Sequence, residues 1–362
     1  MTSSLQGKLD LKILLIQFKP AGDVLLLTSV VKALKKKFPL SSISFIINEK
    51  ESILITQFKL IDDLILIKNY QKNGTANFFK YLRYNLMLIR LVRKRRFDVV
   101  IDFIGNPKSA IMTFFSCAIM KIGRNLRVRS LAYNIKIPKH PENSNTVFRR
   151  LSHLKPLGID QQHISPELHL SEEDIAFAND YINTLHIARD KKIIFLAPNS
   201  PRSSRRWKKE NFISIGKRLI EIYNASILLA WGPGEKEYTE SIRDGIGKNS
   251  AMIPPTSLTQ MAAIISKAIL IITNDSGTKH IANAVGVRSV TIYGPTNPYV
   301  WNEIDMTRNP AIRADVSCIQ CEKRECQLKK HICMELVTPD KVMLVINGIL
   351  GTKQQQDKQP CL

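Results

Sequence analysis

The chain has 362 residues, 44% apolar and 23% charged, enough for two domains whose cores need no disulfide or metal staple. That composition excludes a collagen, an intrinsically disordered chain and a polytopic membrane protein. The 53 Lys and Arg outnumber the 31 Asp and Glu, unevenly: residues 1–170 carry net +17 and residues 171–362 net +5, so the front half is expected to meet a polyanion such as nucleic acid, an anionic membrane surface or a phosphorylated glycolipid.

Residues 1–12 lack a cationic stretch followed by a long apolar one, and no signal peptide is expected. Residues 11–17 (LKILLIQ) read as a buried strand. The turn Lys19-Pro20-Ala21-Gly22-Asp23 then opens a helix over 24–37, with Val24, Leu27, Val31 and Leu34 on one face. Asp23 falls at the helix N-terminus, where the dipole stabilises a carboxylate. It reads either as a first-turn cap or as a general base at the C-terminal edge of a parallel sheet. Strands follow at 43–47 and 64–67, then a helix over 78–96 and a strand at 98–102. Within that helix, 81–96 (YLRYNLMLIRLVRKRR) mixes apolar residues with cations and ends in Arg93, Lys94, Arg95 and Arg96. It reads as a basic amphipathic helix for an anionic membrane, or as a surface helix with a solvated end. The apolar stretch 110–120 is too short to span a bilayer, which needs ~20 residues.

The acidic stretch 171–190 contains a helix and leads into a second β-α-β series. Strands are expected at 192–197, 226–230, 269–273 and 288–292, with helices at 212–223, 235–242, 258–267 and 278–285. After the first of these strands come Asn199 and Ser200, then Arg205, Arg206, Trp207 and Lys208. Such polar groups and Arg forks suit a phosphate, although a solvated basic loop with Trp207 packed beneath it has the same pattern. After the next strand, Trp231-Gly232-Pro233-Gly234-Glu235 lets a ligand approach the backbone, and Glu235 reads as an acceptor for ribose or sugar hydroxyls or as a first-turn helix acid. The most specific block is Asn274-Asp275-Ser276-Gly277-Thr278-Lys279-His280, followed by Gly294-Pro295-Thr296. There a strand delivers Asp275, and the helix opened by Gly277 offers free N–H groups to a pyrophosphate. His280 reads equally as structural.

Cys318, Cys321, Cys326 and Cys333 lie within 16 residues. Four thiols at this spacing suit a structural Zn²⁺, or reduced thiols in a packed loop, with no open catalytic position. The chain has no G-x-x-x-x-G-K-[ST], H-E-x-x-H or G-x-S-x-G motif, which argues against a P-loop NTPase, a zincin and an α/β-hydrolase.

The four blocks, in order and spacing, resemble glycosyltransferase family 9, the lipopolysaccharide heptosyltransferases. The likeness runs from about Leu11 to Gly348 and includes VFRRLSHLKPLGI at 147–159. Gln17 stands where an Arg is frequent, Arg205 replaces the usual Lys, Lys208 a Pro, and Thr278 a Pro or Leu. The resemblance implies an α/β protein of GT-B fold, two Rossmann-like domains facing a central cleft, with boundaries at 1–180 and 181–350 and a flexible tail at 351–362. It implies inverting transfer of a heptose from ADP-heptose to the lipopolysaccharide inner core, with Asp23 as general base and no metal required. Asn199, Ser200, Arg205, Glu235, Asp275, Ser276, Gly277, His280, Gly294 and Thr296 would bind the donor. Lys19, Arg93, Lys94, Arg95 and Arg96 would face the acceptor and the cytoplasmic surface of the inner membrane, and the protein is expected to be a cytoplasmic, membrane-associated monomer. A sugar-nucleotide epimerase of similar fold would not need the basic front half. A nucleic-acid-binding protein is favoured by charge alone and lacks a recognisable module, so no nucleic-acid partner is expected.

Overall fold

In the computed structural model the described residues are 7–18, 20–68, 75–160, 163–318, 320–328 and 330–351. Lys19 and residues 352–362 lie outside them. The chain divides into two compact units, residues 1–169 and 170–362.

The first unit runs β1 (Lys12–Ile16), α1 (Ala21–Leu26), α2 (Thr28–Lys37), β2 (Ser42–Asn48), α3 (Glu49–Ser52), β3 (Asp63–Ile67) and α4 (Thr75–Lys94). It continues through β4 (Val99–Asp102), α5 (Pro107–Phe115), β5 (Met120–Arg124), β6 (Ile135–Ile137) and α6 (Thr146–Leu151). Its six strands form one sheet in the order β3-β2-β1-β4-β5-β6, every pair parallel. Such a sheet is covered on both faces, so its strands read as continuous apolar runs. Leu14 and Ile16 accordingly pack with Ile46, Val100 and Val92 in the core.

The helix expected over 24–37 is two helices. Thr28 Oγ1 donates to the Leu25 carbonyl at 2.7 Å and Ser29 Oγ to that of Leu26 at 2.6 Å, and hydroxyls bonded back to the preceding turn bend or interrupt a helix. The helix expected over 78–96 ends at Lys94, because Arg96 takes a left-handed φ of 52°.

The second unit opens on α7 (Glu172–Thr184), then β7 (Lys192–Ala197), α8 (Lys209–Tyr223), β8 (Ala225–Leu229), α9 (Lys236–Ile246), β9 (Ser250–Met252) and α10 (Leu258–Ile265). It closes with β10 (Leu270–Asn274), α11 (Gly277–Ala284), β11 (Arg288–Tyr293), α12 (Pro298–Trp301), β12 (Ala311–Arg313), α13 (Ile332–Glu335) and α14 (Pro339–Leu350). Its parallel sheet has the order β12-β11-β10-β7-β8-β9. The α/β architecture expected from the β-α-β rhythm is borne out. In each unit the strand order reverses beside the first strand, at β1/β4 and at β7/β10. Loops leaving the carboxyl ends of strands at such a switch point are where doubly wound sheets bind ligands. Among the described residues no helix is long and apolar enough to cross a membrane.

Candidate active site

At the first switch point, Asp23 lies in the opening turn of α1, after a Pro20 cap that fixes the entry to the helix. Its Oδ1 is 2.8 Å from Nη2 of Arg150, and both side chains are largely buried. Arg150 is delivered by α6, whose N-cap Asn145 accepts from the Val147 N–H at 2.9 Å. The other guanidinium nitrogen donates to Gln17 Oε1 at 3.1 Å and to the Phe103 carbonyl at 3.3 Å. Gln17, standing where the resemblance puts an Arg, thus orients a different Arg, which fixes the Asp23 carboxylate in turn. Arg150 was missed in the sequence because its partners lie 127 and 133 positions upstream and no local pattern marks it. Nearby, His153 is buried with Nδ1 2.9 Å from the Arg149 carbonyl, and burial pushes its imidazole down to about 3. Asp102 at the end of β4 is also buried. Burial raises its carboxyl, opposed by the N–H of Gly105 and by Ser109, Tyr133 and Ile104.

At the second switch point the loops after β7 and β10 are stitched together. Buried Asn274 donates to the Pro198 carbonyl at 2.6 Å and accepts from the Trp207 N–H at 3.0 Å. Trp207 is fully buried, its indole N–H donating to the Val337 carbonyl at 2.7 Å. It packs under the basic loop, as the bland reading had it. Asn199 donates to the Ala230 carbonyl at 3.2 Å and to Thr239 Oγ1 at 2.8 Å, and its buried Oδ1 has no partner among the described residues. Ser200 is buried, and its carbonyl accepts from Arg206 Nε at 2.7 Å.

The centre of this site is Asp275, which is buried. Its Oδ1 accepts from Lys279 Nζ at 3.0 Å, and its Oδ2 from Thr296 Oγ1 at 2.8 Å and Arg205 Nη1 at 2.9 Å. Burial would raise this carboxyl, but Lys279 and Arg205 outweigh it and hold it below its ordinary value. Lys279 is wholly buried and also donates to Tyr293 Oη at 2.6 Å and to the Trp301 carbonyl at 2.9 Å. Burial lowers its ammonium and Asp275 opposes the shift. Asp275, with both oxygens engaged, anchors Arg205, while Arg205 keeps partial exposure and its Nε has no partner among the described residues. Glu322 Oε2 lies 3.9 Å from the other Arg205 nitrogen, and Glu322 Oε1 accepts from the Asn297 N–H at 3.2 Å.

Ser276 is the N-cap residue of α11 and makes no side-chain cap, and a Cβ on Gly277 would meet open space. His280 is partly buried, and desolvation together with the Lys279 cation pushes it down to about 3. Gly294 is a packing requirement: a Cβ there would fall 2.5 Å from Met334 Sδ and 3.2 Å from the Ser204 carbonyl oxygen. Glu235 Oε2 accepts from the Gly232 N–H at 2.9 Å and closes the turn before α9.

The cysteine segment packs against this site through Glu322 and through Ser204 Oγ, which donates to the Lys323 carbonyl at 3.0 Å. Cys318, Cys321, Cys326 and Cys333 are all free thiols, and burial with the three neighbouring sulfurs raises Cys333. Among the described residues no three His, Cys, Asp or Glu side chains are grouped to hold a metal. In the first unit, Arg93, Lys94 and Arg96 are exposed, while Arg95 is ion-paired with Asp63.

The model of glycosyltransferase family 9 (heptosyltransferase) matches residues 86–332. Lipooligosaccharide heptosyltransferase 2 of Campylobacter jejuni serotype O:6 is 26% identical over 195 residues, 52% of this chain and 61% of the relative. The chain thus spans about three fifths of the length of that relative. Lipopolysaccharide heptosyltransferase 3 of Escherichia coli is 24% identical over 77% of this chain and 82% of its own. Among solved structures, a family 9 glycosyl transferase from Veillonella parvula superposes with TM-score 0.80 at 20% identity, covering 95% of this chain and 98% of its own. The E. coli ADP-heptose lps heptosyltransferase II gives 0.75 at 19% identity, over 96% and 99%. These likenesses bear out the GT-B fold.

Proposed function

The chain belongs to glycosyltransferase family 9, and on that premise we propose that it transfers a heptose from ADP-heptose to the inner core of lipopolysaccharide with inversion at the anomeric carbon. The two E. coli relatives whose names specify lipopolysaccharide and ADP-heptose support that substrate pair. The second unit takes the donor. One observation carries the reading: a buried carboxylate, Asp275, holds the guanidinium of Arg205 at the N-terminal end of α11, which no side chain caps. A cation next to free helix N–H groups is what a leaving pyrophosphate requires, because negative charge grows on it as the glycosidic bond breaks. Asn199 Oδ1, buried and without a partner among the described residues, suits a donor hydroxyl or amine.

Asp23 acts as the general base, oriented by Arg150. It takes the proton of the acceptor hydroxyl as that oxygen bonds to the anomeric carbon. The bond from that carbon to the β-phosphate oxygen breaks, and ADP leaves carrying the electron pair. The first unit, with net +17 over residues 1–170, takes the phosphorylated acceptor at the cytoplasmic face of the inner membrane. Purified chain, ADP-heptose and truncated, deacylated lipopolysaccharide test the reading directly, with the product linkage determined. The Asp23→Asn variant is expected to keep ADP affinity and lose turnover by ~10²-fold or more. Turnover within a few-fold of wild type would reduce Asp23 to a helix cap.

A further inference from the structure

Helix α5 is apolar on both faces. Ala110 and Met112 are buried together with Ser109 and Thr113, yet Ile111, Phe114 and Phe115 are exposed to solvent at i, i+3, i+4 spacing. A helix that only covers a sheet keeps its outer face polar, as α2 does with Val30, Val31 and Leu34 buried and Lys36 and Lys37 exposed. The buried hydroxyls cost little, because each bonds within its own helix. Ser109 Oγ donates to the Asn106 carbonyl at 3.1 Å and Thr113 Oγ1 to that of Ser109 at 2.9 Å. The exposed rings carry the opposite cost: Phe114 and Phe115 keep 51% and 45% exposure among the described residues.

Across from α5, the 3-10 turn Arg127–Ala132 also turns apolar residues outward. Its exposed residues include Val128 and Leu131, at 80% and 73% exposure, while Ser130 and Ala132 are buried. Residues three apart eclipse on such a turn, so these two side chains stand together. Between helix and turn lies a mostly apolar groove of about 300 Å³, lined on one wall by Ile111, Phe114 and Phe115 and on the other by Val128, Ala132 and Arg129, whose guanidinium donates to the Gly105 carbonyl at 2.7 Å.

The surroundings of the groove carry one sign of charge. No Asp or Glu occurs between Asp102 and Glu142 in the sequence, a stretch with seven Lys and Arg. Lys121 Nζ stands 5.6 Å from the centre of the Phe114 ring. Arg124 and Arg127 are exposed, and neither is ion-paired among the described residues. Exposed aliphatic and aromatic side chains with Lys121 beside them, in a segment whose Arg124 and Arg127 are exposed, match the two layers of an anionic bilayer, acyl chains within and phosphates without.

We propose that the groove between α5 and the 127–132 turn is the surface on which the protein docks to an anionic lipid bilayer, taking acyl-chain contact into the groove and phosphates onto Lys121, Arg124 and Arg127. This rests on the reading that the acceptor is membrane-borne. It moves the contact away from the 93–96 run, where Arg95 is already occupied by Asp63.

The test is flotation of the full chain on vesicles of phosphatidylethanolamine and phosphatidylglycerol, against phosphatidylcholine, at low and high salt. Wild type should float on the anionic vesicles and be partly released by salt. The triple variant Phe114→Ser, Val128→Ser, Leu131→Ser should partition at least about tenfold more weakly, because exposed apolar side chains supply the insertion. Its melting temperature and ADP affinity should match wild type. Leu131→Asp, a single change on an exposed turn, should weaken flotation in the same direction and keeps the test valid if the triple variant misfolds. Undiminished flotation of these variants would overturn the assignment and leave the membrane reading standing. Failure of wild type to float on any vesicle would overturn both, while turnover of the deacylated acceptor would still report on transfer itself.

Discussion

Lys279 follows Asp275 by one helical turn, with no exposed atoms, and its ammonium bonds to a carboxylate, a phenol and a carbonyl. A buried cation so placed is stable only while its counter-charge is present, and breaking such a pair by removing one partner costs ~3–5 kcal/mol. Arg205 already pairs with the other oxygen of Asp275, so part of that cost is spared when Lys279 is lost. Lys279→Met should therefore destabilise the protein by about 3 kcal/mol in urea unfolding. In an Asp275→Asn background the same change should cost less than about 1 kcal/mol, because coupling between contacting charges is what a double-mutant cycle isolates. Additive costs would show that Lys279 is held by its packing and its bonds to Tyr293 and Trp301 rather than by Asp275. In the sequence Lys279 is one cation among 53. Its spacing from Asp275 was visible, but its burial depends on Tyr293 and Trp301, which no local pattern connects to it.

At the scale of elements, the donor site depends on loops that nearly touch. Gly294 after β11 lies under the Ser204 carbonyl in the loop that carries Arg205, and beside Met334 on α13. A methyl group at 294 must displace one or the other. The thioether is the softer neighbour, but Met334 is itself buried against the core of this unit. Gly294→Ala should cost about 1–3 kcal/mol, as overpacking commonly does, and should weaken ADP binding measured by calorimetry by shifting the 203–205 turn. Met334→Ala in the same chain should recover ADP affinity, since it empties the space the methyl needs. Unchanged affinity in Gly294→Ala would mean that the turn is free to move without disturbing Arg205.

Across the whole molecule, legibility followed hydrophobic pattern. Strands β1, β2, β3, β4, β7, β8, β10 and β11 were legible because buried parallel strands are short continuous apolar runs bounded by turns. Residues 110–120 were read only as an apolar stretch too short for a bilayer, and the rest of 103–141 was assigned no element. Its helix is apolar on both faces, which hides the helical period, and β6 is three residues long. The motif residues were legible as a group, since loops after strands carry Asn199, Arg205, Asp275 and Thr296, but their partners Arg150 and Glu322 come from elements distant in sequence.

One consequence of burial belongs to both units. Each contains a histidine, His153 and His280, whose imidazole is pushed from 6.5 down to about 3. In the unfolded chain these groups take up protons near their ordinary value, so the unfolded state binds more protons below it. The folded value is depressed. The associated stability is therefore fully present above about pH 6.5 and is lost as the pH falls towards 3. The slope is up to ~1.4 kcal/mol per pH unit for a fully desolvated group. His153, 3% exposed, should approach that limit, and the more exposed His280 should fall well short of it. Urea unfolding at pH 7 and at pH 5.5 is expected to differ by ~1–2 kcal/mol for His153 alone, with the acid sample weaker. His153→Phe, which preserves ring contact with Phe103 at the 4.9 Å seen for the imidazole, should flatten the dependence. An equally steep loss in that variant would place the acid sensitivity in the net charge of +22, whose self-repulsion also grows as carboxylates are protonated.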